Sequence, residues 1–255
     1  MRRVLVVITL VVALFPIAVT AGSAAVVHGR PAVVRHLGNG AAASTNWSGY
    51  AAFASGTTFT DVKGSWLVPA VTCPSRKAQY SSFWVGIDGY NSSSVEQTGT
   101  DSDCAGKNRA SYYAWYEMYP AASVQISLAV HPGDTMSAEV SRSGNTYTLV
   151  ITNVTTGGSF TTTKTQSGLA DSSAEWVAEA PSLCRASCQI QPLADFGTVN
   201  FSGSFATGNG HTGSISDGAW TNDSITMVTN GGTVKAQPSA LGSNGSAFSV
   251  VWQHS

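Results

Sequence analysis

Phe83-Trp84-Val85-Gly86-Ile87-Asp88-Gly89 is followed by Val95-Glu96-Gln97-Thr98-Gly99 and then by Tyr112-Tyr113-Ala114-Trp115-Tyr116-Glu117-Met118-Tyr119-Pro120. Aromatic and β-branched residues bordered by Gly and Pro specify extended strands, and in a strand alternate side chains share one face. Trp84 and Asp88 therefore point together, as do Tyr113, Trp115, Glu117 and Tyr119. Paired in one sheet, the two faces merge into an aromatic floor carrying carboxylates. Such a floor is either a core with trapped acids or a substrate cleft.

Outward from this stretch the same pattern recurs. Short strand-like segments fall at about 47–54, 58–68, 80–88, 93–99, 111–119, 123–131, 134–142, 145–153, 158–165, 173–179, 193–203, 212–218, 224–230 and 246–253. Turn signals such as Pro132-Gly133-Asp134, Ser143-Gly144-Asn145 and Asn230-Gly231-Gly232 separate them. No convincing amphipathic helix interrupts the series and no internal repeat of propeller or solenoid length is visible, so the expectation is an all-β fold: a single antiparallel β-sandwich or jelly roll.

Residues 1–24 read as a secretory signal peptide, with Arg2-Arg3, an apolar run from Val4 to Val19, and small residues at Ala21-Gly22-Ser23-Ala24-Ala25. The expectation is a secreted, extracellular protein with no membrane association after signal removal. Residues 25–44 contain His28, Arg30, Arg35 and His36 but no acid, and read as a short pro-segment or flexible leader; a tail without a role fits equally. A shielding leader would be held by attraction of Arg30 and Arg35 to an acidic cleft at neutral pH and released in acid. Residues 45–255 form the sandwich domain. From Asn46 onward fourteen Asp and Glu face nine Lys and Arg, a formal net charge of −5, which argues against nucleic acid as a partner.

Charged residues make up only 11% of the chain, so each acid set among aromatics carries weight. The four cysteines allow three pairings in an exported protein, and the local pair Cys184–Cys188 leaves Cys73–Cys104. No histidine pattern accompanies them, which argues against a zinc site or a cysteine nucleophile. In Ser173-Ala174-Glu175-Trp176-Val177-Ala178-Glu179-Ala180-Pro181, Glu175, Val177 and Glu179 share a face. Taken singly, each glutamate's commoner fate is a solvated sheet edge, and Gln97 by itself is an ordinary structural amide.

Taken together, Trp84-Val85-Gly86-Ile87-Asp88-Gly89, Gln97-Thr98-Gly99, Ala114 to Pro120, Ala174 to Glu179 and Ala194-Asp195-Phe196 occur in the order found in the glutamic peptidases, or eqolisins, and the chain from Asn46 onward resembles that family. The resemblance implies two seven-stranded antiparallel sheets and a catalytic pair made of Gln97 and Glu179, with Glu175 outside it. It places Trp84, Asp88, Trp115, Glu117 and Tyr119 among the substrate-binding residues, and it matches Cys184–Cys188 to a local loop bridge. It further implies an acid-acting endopeptidase that works through an activated water without a covalent intermediate, takes protein or peptide substrates, needs no cofactor or metal and acts as a monomer. Two departures bear on substrate preference and pH optimum: Glu179-Ala180-Pro181 stands where the family has Glu-Asp-Phe, and Tyr113 stands where an Asp commonly precedes Ala-Trp-Tyr-Glu.

Two other readings share the fold. A glycoside hydrolase would use Glu117 and Glu179, set about 5–5.5 Å apart for retention or about 6.5–9.5 Å for inversion. A carbohydrate-binding module would stack sugar rings on Trp84, Trp115 and Tyr119. Gln97 discriminates, because peptide hydrolysis needs an oxyanion donor and neither alternative needs an amide there.

Overall fold

The computed structural model describes residues 24–29 and 34–255; the signal-peptide reading and Arg30 lie outside the described residues. Among the described residues every regular element is a β-strand. One layer runs, in order of pairing, β2 (Val34–Gly38), β3 (Ala41–Ser44), β18 (Thr221–Val228), β4 (Trp47–Phe53), β13 (Ser173–Glu179), β6 (Ser82–Ile87), β7 (Val95–Cys104), β8 (Ala110–Tyr119) and β9 (Val124–Ile126). The second runs β12 (Gly158–Thr165), β11 (Thr146–Asn153), β10 (Thr135–Ser143), β5 (Phe59–Leu67) and β16 (Thr198–Gly208). Strand β16 then pairs with both β17 (His211–Ser214) and β20 (Phe248–Trp252), and β19 (Val234–Pro238) joins β20 to β18 of the first layer. A small separate sheet holds β1 (Ala25–Val27), β14 (Ser182–Cys184) and β15 (Cys188–Ile190).

The all-β sandwich expected from the pattern is the fold, with two differences. The first layer carries nine strands rather than seven, because residues 34–44 form a hairpin on it. That hairpin docks through β3, which runs parallel to β18, so the fold is not wholly antiparallel. Strands β1, β2, β3, β14, β15 and β19 were not expected; each is short, and β1, β3 and β14 depend on a partner far away in sequence.

Burial explains how the layers sit. Strand β11 alternates, sending Tyr147, Leu149 and Ile151 into the core and threonines outward, as a strand with one wet face should. Strands β7 and β13 are buried at every position. On β13, Ala174, Trp176 and Ala178 pack into the inter-sheet core while Val177 joins a second cluster on the opposite face, with Trp47, Trp84, Val95 and Trp115. That second cluster is the aromatic floor. Strand β7 continues past the expected end at residue 99 to Cys104, where the Cys73–Cys104 disulfide fastens it; Cys184–Cys188 closes the β14–β15 hairpin.

Candidate active site

Register brings the floor together. Across β7 and β8, Gln97 stands opposite Glu117, Gly99 opposite Trp115 and Asp101 opposite Tyr113. On β6, Trp84 is opposite Gly99 on one side and Val177 on the other. Gly99 has to be glycine: a Cβ there would lie 2.3 Å from the carbonyl oxygen of Phe83 and 2.6 Å from Trp84 Cβ. The Trp84 indole instead reaches Glu179, donating from Nε1 to Oε2 at 2.9 Å, and the Asn46 amide donates to Oε1 at 3.2 Å. Trp47 meets Trp84 edge-on at 4.9 Å.

Glu179 and Glu117 are fully buried. Burial holds the Glu179 carboxyl well above the ordinary range; the charge of His28 opposes this and that of Glu117 adds to it. Burial also raises Glu117, against bonds from His28 that pull it down.

Residues 25–29, read from the sequence as part of a leader, supply the part no sequence pattern announced. Among them His28 is fully buried on this floor. The imidazole lies flat on Trp115, with centroids 3.6 Å apart and planes 1° from parallel. Nε2 contacts Asp101 Oδ1 at 3.1 Å and Oδ2 at 3.3 Å, and Nδ1 contacts Glu117 Oε2 at 3.2 Å. The His28 backbone N–H donates to the same Glu117 oxygen at 2.9 Å. Burial alone would strip the ring's proton, but Asp101 and Glu117 outweigh it and push the His28 pKa up to about 10. The side-chain amide of Gln97 donates to the carbonyl oxygen of His28, and also to Glu117 Oε2 at 3.3 Å. Trp47 Nε1 donates to the Gly29 carbonyl at 2.9 Å, and Ser123 donates to the Val26 carbonyl from Oγ at 2.8 Å and from its backbone N–H at 3.3 Å. With β1 paired to β14, residues 25–29 lie extended over the floor as a bound peptide would. Arg35, expected to share in such a hold, is exposed on β2.

Of the residues picked out in the sequence, Gln97, Glu117, Trp84, Trp115 and Tyr119 come together here, and Glu179 joins them through Trp84. Asp88 does not. Strand β6 ends at Ile87, and Asp88 takes a positive φ of 71°, which breaks the alternation that would have aimed it at the floor. Its carboxylate accepts from the N–H groups of Asp171 at 2.7 Å and Ser172 at 2.8 Å. Glu175 is buried rather than solvated, on the same face as Glu179 but four residues, or about 13 Å, further along the strand. It lies near Asp88 and Glu96, and burial raises it well above the ordinary range.

Oxygens of Asp88, Glu96 and Asp171 lie within 4.8 Å of one another, a set that could in principle hold a cation. Asp88 is already filled by backbone donors, and Asp171 takes the Tyr147 hydroxyl at 2.6 Å and Arg142 at 3.2 Å. Burial and the Asp88 charge push Glu96 up to about 9.

Sequence reasoning missed His28, Asp101 and Asn46. Asp101 was findable: four residues after Gln97, it shares that residue's face once β7 is extended to Cys104. A lone histidine in a basic leader carries no such signal.

The Peptidase A4 family model matches residues 45–250. Aspergillopepsin-2 of Aspergillus niger is 31% identical over 198 residues, 68% of each chain. The crystal structure of scytalido-glutamic peptidase with a transition state analog inhibitor superposes with a TM-score of 0.71 at 26% identity, covering 82% of this chain and 98% of that one. An Eqolisin-family peptidase solved with the tripeptide Ala-Ile-His gives a TM-score of 0.67 at 25% identity over 82% of this chain and 98% of that one. With the motifs in order, the sandwich beneath them and a family match over residues 45–250, the chain belongs to the Peptidase A4 family, the glutamic peptidases, and is a peptide hydrolase.

Proposed function

We propose that the chain is a secreted, acid-acting endopeptidase in which Glu179 and Gln97 form the catalytic pair. The carrying observation is that the Gln97 side-chain N–H is bonded to a peptide carbonyl oxygen, that of His28, on the floor where Glu179 is buried. An amide suits this role in acid because it does not titrate and donates equally at any working pH. With substrate in place of the leader, Glu179 takes a proton from a water set between it and the scissile carbonyl. The water attacks, Gln97 stabilises the oxyanion, and Glu179 returns the proton to the leaving amine. No covalent intermediate forms. Burial under residues 25–29 raises the Glu179 carboxyl, and a water admitted beside it with the substrate would act in the opposite direction.

The test is Glu179→Gln and Gln97→Ala, each checked for native folding, with Glu175→Gln as control. Loss of the oxyanion donor should raise the barrier by about 2.7–4 kcal/mol, and loss of the base should remove nearly all turnover. The control should keep most of its activity in an acid digest of a denatured protein. Retained cleavage by Glu179→Gln would remove the assignment.

A further inference from the structure

We propose that Asp101, Trp115 and Glu117 form a specificity pocket for a flat cationic side chain, histidine above all, on the substrate residue whose carbonyl oxygen accepts from Gln97. The inference rests on Gln97 as the oxyanion donor and adds what side chain the site selects.

The leader shows how the selection works. Its backbone is held by donors that any peptide would satisfy: Ser123 on Val26, Gln97 on His28 and Trp47 on Gly29. The His28 side chain, by contrast, meets partners matched to it alone. Trp115 offers a parallel ring face, and a carboxylate waits at each ring nitrogen. A doubly protonated imidazole satisfies both acids at once and stacks through its flat face. Leucine in its place would leave two buried carboxylates without their cation, and removing one partner of a buried pair is strongly unfavourable. Lysine carries a point charge on a flexible stem and cannot stack as a plane, whereas arginine is planar but longer, so the expected order is histidine, arginine, lysine, leucine. The pocket is preset: Asp101 accepts from Trp115 Nε1 at 2.7 Å and from the Tyr113 hydroxyl at 2.7 Å, which orient it before a ligand arrives. Tyr113 stands where the family commonly has an acid, so this orientation belongs to this chain. After His28 the space narrows, since a Cβ on Gly29 would sit 3.3 Å from Tyr119 Cε2.

The experiment has two arms. In the first, initial rates are measured at acid pH on peptides containing Ala-Val-Val-X-Gly, with X as His, Arg, Lys or Leu and product ends sequenced. Cleavage after His should exceed cleavage after Leu by at least tenfold in kcat/KM, and Asp101→Asn should cut that ratio by at least fivefold. In the second, hydrogen exchange follows the amides of residues 25–29 in the full chain. His28→Leu and Asp101→Asn should each speed exchange at least tenfold, and the double variant should add little to either. Equal rates for His and Leu peptides, or a leader that stays protected in His28→Leu, would overturn the pocket. The exchange arm needs no turnover, so it decides the pocket even if Glu179→Gln still cleaves and the catalytic assignment falls.

Discussion

Glu117 bonds the amide of Gln97 and the ring of His28, and its charge is among those that raise Glu179. Replacing it with Gln removes a negative charge from beside the proposed base. The sign follows: with that charge gone, ionised Glu179 is less disfavoured, its pKa falls, and the acid limb of the kcat/KM profile moves to lower pH in Glu117→Gln. An acid limb that stays put or moves up would show that another group controls it. Residues of this kind were partly legible. Trp84, Gln97, Trp115, Glu117 and Glu179 could be placed because they sit inside regular strands, where alternation fixes facing. Asp88 could not, since it lies one residue past a strand end with a positive φ. His28 lay beyond reach, because its role comes from contacts with Asp101 and Glu117, 73 and 89 residues away in sequence.

At the level of elements, the contact between β6 and β7 shapes the site. Strand β7 passes Trp84 closely only because Gly99 lacks a side chain. A methyl there meets backbone oxygen, which cannot swing aside, so the strands must part. Gly99→Ala should cost about 1–3 kcal/mol, the usual toll of overpacking, read from the urea midpoint. The Trp84 bond to Glu179 should loosen with it, lowering acid peptidase activity more than the stability loss alone explains. Wild-type stability in this variant would mean the strands are not so constrained. Strands with strong alternation, such as β10, β11 and β12, were visible in the sequence almost to the residue. Short ones such as β1, β3 and β14 were not, because their pairing is decided by what the rest of the chain brings alongside.

The molecule as a whole buries many of its few acids. Glu96 is raised to about 9 from an ordinary 4.5, and burial sends Glu175, Glu179 and Asp103 in the same direction. A carboxyl whose folded pKa is raised holds its proton more tightly folded than unfolded. Its contribution is therefore fully present below the unfolded value and is lost as pH rises toward the folded one. For Glu96 that window runs from 4.5 to about 9. Each such group weakens the fold by up to about 1.4 kcal/mol per pH unit within its window. The melting temperature should be highest at the acid end and fall steadily as pH rises from about 5 to 9, and Glu96→Gln should flatten the decline. A maximum near neutrality would contradict this.

His28 lies on the floor of the same chain to which it is joined through residues 30–33. A tethered occupant meets its site at an effective concentration set by the tether, in the millimolar range for a short connection. Its hold is thus a unimolecular equilibrium, blind to dilution, and a separate peptide of the same sequence would need to reach about that concentration to match it. Cutting the chain anywhere between Gly29 and β2 would turn the occupant into an ordinary diffusible ligand, free to be lost to the surrounding volume.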